Sequence, residues 1–308
     1  MKFSRNTWLL IIAFFCVYVF WGSTYLWNKM AVQELPPFFL ASIRFSSASA
    51  IIFAISKVLG YSLAITRKQL FNCVLAGFLF LAYGNGVFVW SLKWVDSGFA
   101  SLLAALQPLI ILLMMRIIQR KRLQWKSMVG VTLGLIGMYV LVSQNDIIAK
   151  EGMVIGILMI FTCLIAWCSG SLFVAKADLP SNFFVTTAYQ MASAALILVV
   201  ASLLFGESWK SPLDWQTQTQ VSLICLTLFG SIAAFTSFNY LLKNVSPEKV
   251  STSSFVNPVI AILLGWYFLG EELSLQTGIA ALLLLTGVYF INSRKRTADD
   301  IIARKRPS

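Results

Sequence analysis

Histidine does not occur in this chain, and charged side chains make up only 12% of its 308 residues, against roughly 25% in an ordinary soluble domain. The first absence removes the commonest general base and metal ligand. All twelve Asp and Glu residues fall in loops or at the ends of apolar runs, so the buried carboxylate that usually carries protons through a membrane is missing. Five cysteines, Cys16, Cys73, Cys163, Cys168 and Cys225, lie singly inside apolar runs. They read as small apolar residues, which excludes a disulfide framework or a zinc site. No G-x-x-x-x-G-K-[ST] segment is present, so the chain has no ATP motor of the P-loop kind. No cluster of ionisable groups sits at one depth, as an integral membrane enzyme would need, and no cofactor is expected.

What the chain has is apolar surface. Hydrophobic residues are 58% of it, and ten apolar runs lie near 8–28, 38–58, 70–91, 97–118, 125–143, 152–174, 183–205, 219–242, 249–269 and 275–292. Each can cross a hydrocarbon core of about 30 Å as a helix. The fold expected is an all-α polytopic membrane protein of ten transmembrane helices, with the lipid bilayer as its surroundings. The net charge of +12 is a matter of topology: with a cytoplasmic N-terminus, 19 of the 24 Lys and Arg fall on the cytoplasmic side. That bias places both termini in the cytoplasm and leaves no reason to expect a nucleic-acid partner. Lys2 and Arg5 before an apolar run also suit a secretory signal, but no small-x-small cleavage site follows. The end of that run, Trp21-Gly22-Ser23, recurs as Trp167-Cys168-Ser169, so it is read as the first span.

The recurrence is general. Leu92–Ser143 and Leu242–Ser293 align without a gap at an offset of 150, with 13 of 52 positions identical, among them Lys93/Lys243, Ser101/Ser251, Pro108/Pro258 and Gly137/Gly287. Leu35-Pro36-Pro37-Phe38 likewise answers Leu179-Pro180-Ser181-Asn182 at 144. The halves are therefore 1–148 and 149–293, followed by a basic cytoplasmic tail, 294–308. Five spans per half is an odd number, so the second half enters the membrane upside down. Such an inverted repeat lets two halves exchange conformations and open one central site to either side, which is the construction of a transporter.

Trp21-Gly22-Ser23, Arg44-Phe45, Trp90-Ser91-Leu92, Tyr240-Leu241-Leu242, the two proline helices and Leu269-Gly270-Glu271-Glu272 together resemble the EamA family of the drug/metabolite transporter superfamily, over the whole chain. The resemblance implies a ten-helix bundle of the inner membrane with a cavity between its halves, and export of amino acids or related small metabolites. One departure is Lys121-Arg122 where the second copy has Glu271-Glu272, an exchange the charge bias explains. A metabolite uniporter or exchanger working as an importer is the alternative.

Within this frame the candidate solute contacts are Trp21, Tyr25, Arg44, Tyr83, Asn85, Trp90, Gln107, Trp167, Tyr189, Asn239, Tyr240 and Asn257. Pro108 and Pro258 are expected as mid-span hinges that leave the carbonyls of Ala104 and Ser254 free to face a wet cavity. Steps of three then put Ser101, Ala104 and Gln107 on one face, and Ser251, Ser254 and Asn257 on the other. Gln107 and Asn257 are expected to meet near the midplane, unless these polar groups simply bond across to neighbouring helices. Trp90 and Tyr240, at span ends, suit interfacial anchoring equally well. Two roles fit Arg44: binding a substrate carboxylate, or pinning spans by bonding freed carbonyls. The resemblance includes it whatever the solute, which favours the second. Proton coupling, if present, falls to a rim carboxylate such as Asp96 or Glu271. Gly130, Gly134, Gly137, Gly278 and Gly287 form a close-packing surface, within the chain or in a homodimer.

Overall fold

The computed structural model describes residues 5–91, 94, 103–120, 124–143, 152–269 and 275–292. Lys93, Asp96, Ser101, Lys121, Arg122, Glu271, Glu272 and the 294–308 tail lie outside them. Ten principal helices answer the ten apolar runs: α1 (Asn6–Asn28), α2 (Pro37–Val58), α3 (Arg67–Ser91), α4 (Gln107–Ile118), α5 (Trp125–Val142), α6 (Met153–Val174), α7 (Phe183–Leu204), α8 (Thr217–Asn244), α9 (Ser253–Leu269) and α10 (Leu275–Asn292). Six of them, α1, α2, α3, α6, α7 and α8, are long and apolar enough to cross a membrane.

Local chemistry sets the helix starts. Pro37 opens α2 with a residue that has no N–H to lose, and Thr66 with Gln69 forms a reciprocal capping box at α3. The Asn182 side chain accepts from the first amides of α7. Glu207, beyond the end of α7, does the same for α2 across the two halves: its carboxylate accepts from Phe38 N at 3.1 Å and Phe39 N at 2.7 Å, and from the Ser202 hydroxyl at 2.8 Å. Glu207→Ala should therefore cost about 0.5–2 kcal/mol. Thermal unfolding in detergent checks this, with Glu207→Gln retaining most of the stability.

Equivalent helices pack antiparallel. On α2 and α7, Phe38 meets Phe205 and Phe53 meets Tyr189, with ring centroids 5.5 and 5.0 Å apart. On α5 and α10, Gly130 lies against Gly287 and Ile291, and Gly137 against Ala280 and Leu283. A pair of equivalent helices can run antiparallel only if the halves are inverted. The other contacts come in matching pairs: α1 with α9 and α6 with α4, then α1 with α8 and α6 with α3. A pseudo-twofold axis thus runs across the helices through the middle of the bundle. The glycine surface is occupied within the chain: added methyl groups at Gly130 and Gly287 would each come within 2.7 Å of the other's carbonyl, and one at Gly134 would strike the Phe255 ring. That stripe, apart from the open Gly278, is not left over for a homodimer.

The proline positions depart from expectation. In the first copy the helical run is interrupted at Ala105 and Leu106, so Pro108 lies in the first turn of α4, where a missing N–H costs nothing. In the second copy the interruption is at Ser251 and Thr252, and Pro258 lies inside a continuous α9. One proline starts a helix and the other is accommodated within one. The sequence places both in the same register because it records residue identity, while the break depends on what satisfies the freed backbone.

Candidate functional site

Trp21 and Trp167, equivalent residues on α1 and α6, touch each other, with ring centroids 5.7 Å apart and planes at 75°. Two equivalent residues can meet only on the pseudo-twofold axis, so this pair marks the centre of the bundle. Phe238 packs on both indoles, at 4.9 and 5.7 Å, and Phe80 lies 5.1 Å from Trp167. Tilted and edge-on arrangements of this kind add about 0.5–1.5 kcal/mol per pair beyond their buried area.

Each repeated Trp-x-Ser segment rests on the proline helix of the other motif. Gly22 brings α1 so close to α9 that an added Cβ would lie 3.2 Å from the carbonyl of Asn257 and 2.6 Å from Ile260 Cβ. At the matching place Cys168 Sγ donates to the carbonyl of Gln107 at 3.7 Å. The two contacts are one contact repeated, with glycine at one and cysteine at the other.

Three stretches of wide π-helical turn were not foreseen: Cys16–Phe20 in α1, Phe78–Asn85 in α3 and Leu226–Phe235 in α8. The last two are repeat equivalents. Wide turns misalign the helical ladder and release carbonyls, which must find donors in an apolar interior. Other helices supply them. Trp21 Nε1 donates to Gly230 O at 3.0 Å, and Cys163 Sγ to Tyr83 O at 3.7 Å. In the amide orientation that satisfies both its ends, Asn257 Nδ2 reaches Tyr18 O at 3.0 Å, Ser253 O at 3.1 Å and Val17 O at 3.3 Å. Its N–H donors are used within α9, on Ser253 O, and in joining α9 to the wide turn of α1. Ser251 and Ser254, on the same expected face, bond back to Glu248 O and Ser251 O.

Gln107 is placed differently. It is partly exposed and its carboxamide has no hydrogen-bond partner among the described residues. The same holds for the Tyr25 hydroxyl, the Asn85 carboxamide and the Trp167 indole N–H. Their neighbours tie them to the Trp21–Trp167 pair: the Gln107 backbone lies against Cys168, next to Trp167, and Tyr25 is one turn from Trp21. Asn85 sits between Gly84, which faces Trp167, and Gly86, which faces Phe38 and Leu198. Arg44 is 6% exposed, donates from Nε to Ser231 Oγ at 2.8 Å and lies over the Phe45 ring at 5.1 Å. It has no carboxylate partner among the described residues.

The remaining candidates lie away from this centre or are committed to other groups. The Tyr83 hydroxyl donates to the exposed Thr162 at 3.0 Å. Trp90 packs among Phe38, Trp94 and Phe205 at one end of the bundle, and Tyr240 packs on Phe183 at the other. Tyr189 lies on Phe53 and donates to Leu63 O at 2.9 Å. Asn239 is buried and donates to Thr187 Oγ1 at 3.1 Å and Gln190 Oε1 at 2.7 Å.

Sequence reasoning missed several of these partners. Ser231 sits in an apolar run with no local pattern to mark it, whereas Gln190 stands with Tyr189 at the approximate counterpart of Arg44 in the repeat, a polar position whose partner the sequence does not show. Glu248 lies outside the long helices, as the sequence places every acid, but it corrects the expectation that a buried carboxylate is missing: it is fully buried in the one-turn helix Pro247–Val250, accepting from the Ser127 hydroxyl. Ser127→Ala should destabilise the fold by about 1–3 kcal/mol, the cost of taking a hydrogen-bond partner from a buried polar group, seen as a lower melting temperature. Among the described residues no group of three or more His, Cys, Asp or Glu side chains could hold a metal ion.

Comparison with known proteins agrees with this architecture. The EamA-like transporter family model matches twice, over residues 8–143 and 154–293, consistent with duplicated halves. An Escherichia coli K12 protein described as the uncharacterized inner membrane transporter YedA is 34% identical over 299 residues, covering 94% of each chain. A probable amino-acid metabolite efflux pump of the same organism is 25% identical over 287 residues, 89% of this chain and 91% of that one. A protein of known crystal structure shares the fold, with a TM-score of 0.78 over 98% of this chain and 99% of that one at 21% identity. With both halves matched by its model and a relative aligned over nearly all its length, the chain belongs to the EamA-like transporter family, a family of membrane transporters rather than enzymes.

Proposed function

We propose that this protein is a multi-pass inner-membrane secondary transporter that exports amino acids or related small metabolites by alternating access, with both termini in the cytoplasm. The observation that carries the reading is the meeting of Trp21 and Trp167 on the pseudo-twofold axis of two inverted halves, together with the polar groups of Tyr25, Asn85, Gln107 and Trp167, which have no hydrogen-bond partner among the described residues. A site on such an axis is met equivalently by both halves, so exchanging their conformations presents it to opposite sides. The solute class follows from the distant relative named an amino-acid metabolite efflux pump and from the groups available. Indoles, a phenol and carboxamides suit an amphipathic or zwitterionic solute better than a phosphate. The orientation rests on the 19 of 24 basic residues on one side.

Counterflow in proteoliposomes, with a panel of labelled amino acids and metabolites at zero and imposed pH gradient, tests this. Saturable exchange of one or more amino acids is expected. If none of the amino acids is carried while another solute is, the solute class is wrong. Uptake that ignores the pH gradient removes proton coupling and leaves export down the solute gradient.

A further inference from the structure

The two halves are not equal at the axis, and the difference surrounds Arg44. In the repeat register Thr24 corresponds to Gly170 and Phe80 to Gly230. The α6–α3 contact sets the small Gly170 against the ring of Phe80, which a Cβ there would meet at 2.9 Å. The equivalent α1–α8 contact reverses the sizes. A Cβ on Gly230 would lie 2.7 Å from Thr24 Cγ2 and 2.8 Å from Arg44 Nη2. Where one half fills the space with a phenyl ring, the other leaves it to a guanidinium.

That guanidinium is unusually placed. A buried cation normally has a carboxylate or a set of acceptors. Arg44 is more than nine-tenths buried, yet among the described residues only its Nε finds a hydrogen-bond partner, Ser231. Its two Nη nitrogens have no partner among the described residues and are not among the buried polar atoms sealed without one, so they open onto accessible space. They lie beside Gly230, whose carbonyl takes the Trp21 indole N–H. The guanidinium and the Trp21 indole thus share Gly230 as a neighbour, and a planar fork of donors is the geometry that matches a carboxylate.

We propose that Arg44, in the room left by Gly230, is the carboxylate-recognition group of the transported solute. The inference rests on the axial solute site proposed above and narrows its substrate to molecules bearing a carboxylate. Gly230 is then a positioning residue, because any side chain there displaces the guanidinium.

The test is competition in proteoliposome counterflow between L-phenylalanine and L-leucine, their amides, and the corresponding decarboxylated amines. The wild type should prefer the carboxylates by about tenfold to a hundredfold, the value of a hydrogen bond to a charged group. In Arg44→Gln that preference should fall to within about twofold, Arg44→Lys should keep part of it, and Gly230→Ala should reduce it. A purely structural Arg44 would lower the maximal rate for every solute alike and leave the ratio unchanged. Equal competition by amides in the wild type, or an unchanged preference in Arg44→Gln, overturns the carboxylate site while leaving amino-acid export standing. If no carboxylate in the panel competes, both readings fail. Should Arg44→Gln not elute as a single folded species, the wild-type amide arm and the other two variants decide the question.

Discussion

Replacing Gly22 by valine should reduce counterflow of any solute the wild type carries to less than about a tenth, while valine at the equivalent Cys168 should leave most of it. At Gly22 an added Cβ would come within 2.6 Å of Ile260 Cβ, 2.8 Å of Ile260 Cγ2 and 3.2 Å of the Asn257 carbonyl. Two of these atoms are fixed to the backbone of α9, so no rotamer change relieves the clash and the helices must separate. Overpacking of this kind costs about 1–3 kcal/mol of stability, and the parted helices are those that must move together about the axis. The separation would also pull Asn257 away from Val17 and Tyr18. At Cys168 the contact with α4 already accommodates a Cβ and a sulfur, 3.7 Å from Gln107 O. Melting temperature and counterflow rate, measured on the same preparations, check the pair. Wild-type transport by Gly22→Val would show that close approach of α1 and α9 is not needed, and equal damage at both positions would show that the difference between glycine and cysteine carries nothing.

Much of this architecture was legible because it is written twice. The offset of 150 and the odd number of spans require inverted halves, and the antiparallel pairs Phe38–Phe205 and Phe53–Tyr189 are that requirement met in space. Trp21 and Trp167 could be found for the same reason: recurrence marks both, and symmetry brings them together. What could not be read is whatever depends on a partner from another span. The wide turns at Phe78–Asn85 and Leu226–Phe235 have no local signature, since they exist because Cys163 and Trp21 satisfy the carbonyls they release. Glu248 reads as a loop acid because its neighbours in sequence are polar, while its burial comes from α5 and Ser127. Position in the repeat also misleads where the halves diverge. Pro108 and Pro258 share a register, yet one begins a helix and the other does not.

That divergence separates two carboxamides that the sequence presents as a pair. Asn257→Ala removes a donor held within 3.3 Å of three backbone carbonyls, leaving Val17 and Tyr18 of the wide turn in α1 without it. Bonds between membrane helices are worth roughly 0.6–2 kcal/mol each, so the variant should lose about 1–4 kcal/mol of stability. Its turnover should fall tenfold or more because α1 and α9 no longer move as one body. Its KM for a carried solute should stay within about twofold, since its amide is already committed elsewhere and uniform binding is unaffected. Gln107→Ala removes a carboxamide that bonds nothing among the described residues. Stability should therefore be nearly unchanged, and KM should rise by about fivefold to tenfold, one neutral hydrogen bond of roughly 1 kcal/mol. Paired measurements of melting temperature, KM and maximal rate separate the two roles. A raised KM in Asn257→Ala at unaltered stability would make Asn257 a solute contact and α9 self-sufficient. If Gln107→Ala changes neither KM nor rate, its amide faces no solute, and the axial site must be built from Tyr25, Asn85, Trp167 and Arg44 without it.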